Sequence, residues 1–238
     1  MILVEGREVF TELDELVDPS YTALLLIDMQ RDFVDHDGLF GRLGVDLSMY
    51  EQTRPRVAGL LAAARAAGVL VVHVQNTALP GRRSDSPAQI RFNLRMHEGA
   101  RQDGPPLQYT VPGTDGHDFV EELQPEAGEV VVQKYRSSGF WGTNLELVLR
   151  SNGIKSVVVT GCTTEGCVES TARDAMFTDH YVVIAEDCVA SDDKAQHDAS
   201  MLLMRHRFDL ATAEQIAAEW RRNPGTDEEE QWASSTGG

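Results

Sequence analysis

Cysteine is scarce in this chain: three in 238 residues, too few and too odd in number for a disulfide framework. A reducing cytoplasm is the expected setting. Positive charge is short as well. Lys and Arg number 21 against 38 Asp and Glu, a net −17, which argues against the clustered cations that a phosphate backbone requires; no nucleic-acid partner is expected. Part of the excess acid lies in the stretch Asp227 to Glu230, so charge alone does not make the substrate cationic. No apolar run reaches the ~20 residues of a membrane helix, and Met1 to Val9 lacks the basic start and apolar stretch of a signal peptide. A glycine-rich phosphate loop is missing too. The first strand leads into DMQRDF, which speaks against a dinucleotide, and no cofactor is expected. Internal repeats are absent.

What is present alternates. Ala23 to Ile27 (ALLLI) is a run buried on both faces, as in a central parallel strand. Further strands are predicted at Val69 to Val74, Glu129 to Gln133, Ser156 to Thr160, Tyr181 to Ala185 and Phe208 to Ala211. Helices are predicted over Arg54 to Ala67, with Pro55 in the first turn, and from Thr143, with Glu146 completing a capping box, to Gly153. Three more cover Cys167 to Thr178, Lys194 to Arg205 and Thr212 to Arg222. Residues 77–117 carry no sustained period and read as a long excursion with one short helix. Residues 1–222 are expected to form one domain and 223–238 a disordered acidic tail. Strands alternating with helices make a three-layer α/β fold around a parallel sheet.

In such a sheet ligands sit outside the carboxyl ends of the strands. The polar residues standing there are Asp28, Asn76, Lys134 and the pair Cys162 and Cys167. An acid, an ammonium and a thiol are the parts of a nucleophilic site. Cys167 follows Gly166 at the start of a predicted helix, where free N–H groups favour a thiolate, whereas Cys162 precedes any helix. Asp28 is flanked by apolar residues, which raises its pKa toward the range of a group that both takes and returns a proton. Singly, each has a bland reading as a cap, a solvated strand end or a small hydrophobe. Their convergence carries the inference.

Three segments, LLLIDMQRDF (24–33), KYRSSGFWGTNLE (134–146) and VTGCTTEGCVESTARDA (159–175), resemble the signatures of the isochorismatase-like cysteine hydrolases, in the right order over about residues 18–210. The resemblance implies a six-stranded parallel sheet in the order 3-2-1-4-5-6. It implies a catalytic triad of Asp28, Lys134 and Cys167, an oxyanion hole at the N–H groups of Thr163 and Cys167, a cis peptide at Cys162–Thr163 and a homo-oligomer. Family members that cleave a vinyl ether lack the cysteine. Nicotinamidases bind a metal through Asp-x-His and further histidines, for which Asp35-His36-Asp37 is only a partial match and His73 sits inside a strand; no metal is expected. What remains is the amidase branch, with its ureidoacrylate, biuret, carbamoylsarcosine, maleamate and streptothricin hydrolases. The expected reaction is hydrolysis of a C–N bond in a small amide, ureide or lactam through a thioester. Expected pocket walls are Phe33, Asn76, Phe140 and Trp141, with Glu165 at the mouth, and Arg82, Arg83, Arg91 and Arg95 are candidates for a substrate carboxylate. A thiol switch or a catalytically silent binding protein is the rival reading.

Overall fold

The computed structural model describes residues 1–96 and 108–223. The chain opens with a hairpin of β1 (Ile2–Val4) and β2 (Arg7–Val9), followed by the short helix α1 (Leu13–Leu16). Its centre is a six-stranded sheet of β3 (Thr22–Ile27), β4 (Leu70–Asn76), β5 (Val130–Lys134), β6 (Ser156–Cys162), β7 (Tyr181–Ala190) and β8 (Asp209–Ala211). The order across the sheet is β5-β4-β3-β6-β7-β8, all parallel. Counted within this sheet alone, that is 3-2-1-4-5-6.

β3 is central because every residue in it is buried, and the period of two deals its side chains to two cores. Leu24 and Leu26 meet Val57, Leu60, Leu61 and Ala64 of α4 (Ser48–Ala66) and Ile216, Ala217 and Trp220 of α9 (Ala213–Arg222). Ala23, Leu25 and Ile27 face the other way, toward Leu145 and Leu149 of α6 (Leu145–Ser151), Ala172 and Ala175 of α7 (Glu169–Phe177) and Met204 of α8 (Lys194–Arg205). Each large aliphatic side chain so enclosed contributes about 1.5–3 kcal/mol, which is why the layers hold without disulfides. Gly161 lets β6 run close to β3: a Cβ there would sit 2.0 Å from the Ile27 carbonyl oxygen, at a backbone φ of +109°.

Several boundaries differ from those predicted. α4 begins six residues before Arg54 and contains Pro55 in its interior, because burial of Tyr50 and Thr53 and the Arg54–Glu122 ion pair at 2.7 Å hold the turns ahead of the proline. Thr143 does not open α6 with a capping box; its Oγ1 accepts from Leu145 N–H at 3.1 Å while Asn144 takes the N-cap position. The Thr212–Gln215 box on α9 is present. β7 runs five residues beyond Ala185. Between Thr77 and His117 the described residues hold short turns and the helix α5 (Pro87–Met96); α2 (Arg31–Val34) and α3 (Leu39–Arg42) come earlier, after β3. Residues 97–107 of the excursion and 224–238 of the expected tail lie outside the described residues.

Candidate active site

Asp28 ends β3, Lys134 ends β5, and Cys167 follows β6 within a π-helical turn, Thr164–Val168. Parallel pairing brings the three ends to one edge of the sheet. Lys134 Nζ lies 2.8 Å from Asp28 Oδ2 and donates to Cys167 Sγ at 3.2 Å. It also donates to the Arg136 carbonyl at 3.1 Å and to Asn76 Oδ1 at 3.5 Å. Both Lys134 and Asp28 are buried. Asp28 adopts a left-handed backbone conformation, φ 54°, a region that aspartate tolerates better than branched or bulky residues, and its N–H donates to the Val74 carbonyl at 2.9 Å. The loop behind it is pinned by Gln30, whose amide donates to the Asn76 and His117 carbonyls and accepts from Asn76 N–H.

The electrostatics are those of a shared proton in a dry place. Burial drives the Asp28 carboxyl up from its ordinary value, opposed by the Lys134 ammonium and by hydrogen bonding to Cys167. Burial alone would lower Lys134, but the Asp28 and Cys167 charges outweigh it and hold the ammonium protonated. The Cys167 thiol is pushed up to about 12 by burial and by Asp28, against the pull of Lys134. The sequence places this thiol at a helix start that lowers its pKa; the structure corrects that. α7 proper begins at Glu169, and the low-dielectric surroundings and the neighbouring carboxylate outweigh any dipole. Burial and the Asp28 carboxylate thus both favour the protonated form of the Cys167 thiol. Cys162 differs. It is buried, its thiol is raised by burial, and it donates to the Asp28 carbonyl oxygen at 3.2 Å. The Cys162–Thr163 peptide is cis.

A cleft enclosing about 740 Å³ of empty space, its open mouth included, lies over Asp28 and Cys167, with Lys134 buried beneath them. Asp28, Cys167, Thr163, Glu165, Phe33 and Asn76 all line it. Phe33 meets Phe40 and Tyr109 edge-on at 5.2 and 5.4 Å between ring centroids. Phe140 and Trp141 are not among its walls. Phe140 packs into the core between the sheet and α6–α8, and Trp141 is 72% exposed. The segment that carries them is structural: Gly139 N–H donates to Thr171 Oγ1, which in turn donates to the Cys167 carbonyl, so the Ser-Gly-Phe run braces the thiol turn from outside. Arg82, Arg83, Arg91 and Arg95 do not line the cleft either; Arg82 pairs with Asp85 at 3.4 Å, and the other three are exposed. His36 pairs with Glu51 on the surface, and the buried His73 of β4 pairs with Glu129.

Arg136, Tyr109, Gln89, Phe92 and Asp192 line the cleft without having been anticipated. Arg136 stands two residues past Lys134 and was within reach of the strand-end rule. Asp192 follows a strand whose length was underestimated. Tyr109, Gln89 and Phe92 sit in the excursion, where no period points to them. Asp32 ties that excursion down, its carboxylate accepting from Leu39 N–H at 3.0 Å and Thr110 N–H at 2.7 Å.

An isochorismatase domain matches residues 22–216. The chain belongs to the isochorismatase family. A ureidoacrylate amidohydrolase of Enterobacter sp. (strain 638) is 36% identical to it over 172 residues, 71% of this chain and 75% of that protein. Among solved structures, an isochorismatase-like hydrolase from Alkaliphilus metalliredigens is 29% identical with a TM-score of 0.66, over 84% of this chain and 99% of that one. The N-carbamoylsarcosine amidase from Thermoplasma acidophilum is 27% identical with a TM-score of 0.62, over 81% and 96%. With these relatives the chain falls in the amidase branch of the isochorismatase family. No helix among the described residues is long and apolar enough to cross a membrane.

Proposed function

We propose that this isochorismatase-family amidohydrolase cleaves the C–N bond of a small amide or ureide through a thioester on Cys167. The observation that carries the reading is the position of Lys134 Nζ, within hydrogen-bond reach of both Asp28 and Cys167. On substrate binding, Asp28 takes the proton of the Cys167 thiol and the sulfur adds to the carbonyl carbon. The oxygen of the tetrahedral adduct is held by the N–H groups of Thr163 and Cys167. As the C–N bond breaks, Asp28 returns the proton to the leaving nitrogen. Water then adds to the thioester with Asp28 again accepting a proton, and the acid departs as the proton passes back to sulfur. Lys134 stays charged throughout and offsets the negative charge that moves between carboxylate and sulfur. The ureidoacrylate amidohydrolase relative supports a ureide over a lactam.

A thiol switch draws no support from this arrangement, since Cys162 is sealed in the core with its S–H directed to a carbonyl. Three free thiols fit a reducing compartment such as the cytoplasm. Exposed Leu147, Phe177, Leu202 and Leu203 on the outer helices support self-association, which light scattering of the purified chain tests.

The deciding experiment is a screen for ammonia release over small ureides and primary amides, followed by rapid quench and intact-mass analysis with the best substrate. A covalent adduct of the acyl mass on the wild type, missing from Cys167→Ala, is expected. Turnover by Cys167→Ala at the wild-type rate would refute the mechanism.

A further inference from the structure

The turn that carries Cys167 is wound in an uncommon register. The Thr163 carbonyl accepts from Gly166 N–H and from Val168 N–H, both at 3.1 Å, and Glu169 N–H donates to the Thr164 carbonyl five residues back. In an α-helical turn the Thr163 carbonyl takes the N–H four residues on, which is that of Cys167. The π register passes over it. The N–H that the acyl-transfer reading gives to the oxyanion is therefore not spent on Thr163. Such turns are rare beside α-helical ones, so something must hold this one.

What holds it is α8. His197 and Ser200 stand three residues apart and share one face of that helix. His197 Nδ1 lies 2.8 Å from Thr164 Oγ1, at the first residue of the turn. Ser200 Oγ donates to Glu169 Oε2 at 2.5 Å, at the residue directly after the turn, and Arg173 Nε donates to Oε1 of the same carboxylate at 2.9 Å. The turn is fastened at both ends to one helix, itself anchored by Asp193, whose carboxylate accepts from Ala195 and Gln196 N–H. The Glu169 end keeps Arg173 as a second support, whereas the Thr164 end rests on His197. Thr164 is fully buried, and a buried hydroxyl stays with its partner because no water can replace it. Burial holds the His197 imidazole below its ordinary pKa, so at neutral pH the ring is uncharged and Nδ1 can accept the Thr164 hydroxyl proton. Neither Thr164 nor His197 lines the cleft; whatever they do for the chemistry passes through the turn.

We propose that His197 is a positioning residue for acyl transfer: by holding Thr164 it keeps the turn in the register that leaves Cys167 N–H to the oxyanion. This rests on the amidase reading above and adds a part to its machinery.

The test separates two reactions of one sulfur. Acyl transfer builds charge on a carbonyl oxygen and needs the N–H donors, whereas alkylation by iodoacetamide displaces iodide and places no charge there. The full chain is used, with the ureide or primary amide that the ammonia screen ranks first. His197→Leu is expected to lower kcat by about 10- to 100-fold, with KM and the rate of Cys167 alkylation within about threefold of wild type. His197→Asn, whose Oδ1 stands near the place of Nδ1, is expected to recover most of kcat. Thr164→Val removes the same hydrogen bond from the other side and serves where His197→Leu does not fold; the double variant is expected to lose no more than the larger single loss. Unchanged kcat in His197→Leu and Thr164→Val overturns the inference. So does alkylation that falls in parallel with kcat, the mark of a displaced thiol or a loosened fold, and so does a His197→Asn variant no better than His197→Leu. Each of these leaves the amidase reading in place. If wild type neither releases ammonia from any ureide or amide nor acylates Cys167, the amidase reading fails and the role of His197 falls with it.

Discussion

Cys162 closes β6 and Cys167 sits in the π-helical turn that follows, and these two thiols differ in what the fold lets each of them reach. Low intrinsic acidity does not separate them, for burial raises both. Placement does. Cys162 spends its S–H on the Asp28 carbonyl and has no exposed face. Cys167 is half-buried, touches the Lys134 ammonium and opens on the cleft. One is part of the scaffold that aims Asp28; the other is aimed at. The sharpest way to break this contrast is to exchange each sulfur for oxygen. Cys167→Ser is expected to lower kcat by at least about 10³-fold with the circular-dichroism spectrum unchanged, because a hydroxyl in a site tuned for a thiol is a far poorer nucleophile. Cys162→Ser is expected to stay within about tenfold. Comparable losses in both would mean that the two sulfurs share a role.

A second test sharpens the electrostatics. Asp28 raises the Cys167 pKa and Lys134 lowers it, so the two neighbours have opposite effects on the resting thiol although the proposed mechanism uses both. Asp28→Asn removes the negative charge and keeps the shape. It is expected to cut kcat by about 10²–10⁴-fold, the scale of general acid–base catalysis, yet to speed alkylation of Cys167 by iodoacetamide at a fixed pH near 8. In wild type the alkylation rate is expected to rise with pH through the whole accessible range, since the thiol is pushed up to about 12. The acid limb of kcat/KM is expected to follow Asp28. A raised carboxyl pKa keeps the base protonated to higher pH, so activity falls, as pH is lowered, at a point above the ordinary aspartate value of about 3.9. Slower alkylation in Asp28→Asn would show that the carboxylate activates the free thiol, contrary to the balance described here.

Removing the ammonium tests stability rather than rate. Lys134 is fully buried against Asp28, and a buried carboxylate left without its partner costs about 3–5 kcal/mol. Lys134→Met is expected to show a loss of that order in urea denaturation near pH 7. The loss shrinks as pH is lowered, because a protonated Asp28 no longer needs a cation. A pH-independent loss would assign the effect to packing.

How far the sequence carries is itself uneven between regions. The sheet and the three strand-end groups were legible because parallel strands buried on both faces read as unbroken apolar runs, and the residue after each run falls at the ligand edge. The strand order was not in the periodicity. It came from the resemblance, and the pairing of Asn76 with Lys134 and Ile27 with Gly161 is what realises it. The failures share one cause: they concern side chains whose direction depends on turns rather than on regular elements. Phe140 and Trp141 are adjacent to a strand end in sequence, but Gly139 and Ser138 are held by Thr171 and Asp174 of α7, and that anchoring turns the aromatics away from the cleft. Arg136, on the near side of the same turn, points in. Four arginines in the excursion looked equally suited, and nothing in their spacing reveals that none of them lines the cleft.

The smallest expected effect bears on that same turn. Trp141 is 72% exposed, and truncating a side chain so placed changes stability by no more than about 0.5 kcal/mol. Trp141→Ala should therefore leave kcat/KM within about twofold of wild type on whatever ureide or amide is turned over best, while Phe33→Ala, which removes a wall of the cleft packed against Phe40 and Tyr109, should raise KM clearly more. Both aromatics are expected pocket walls on sequence, and only Phe33 lines the cleft. A tenfold loss in Trp141→Ala, measured at low and again at high protein concentration, would show that the cleft is completed from outside the wall described here, by a second copy if the loss appears only at high concentration.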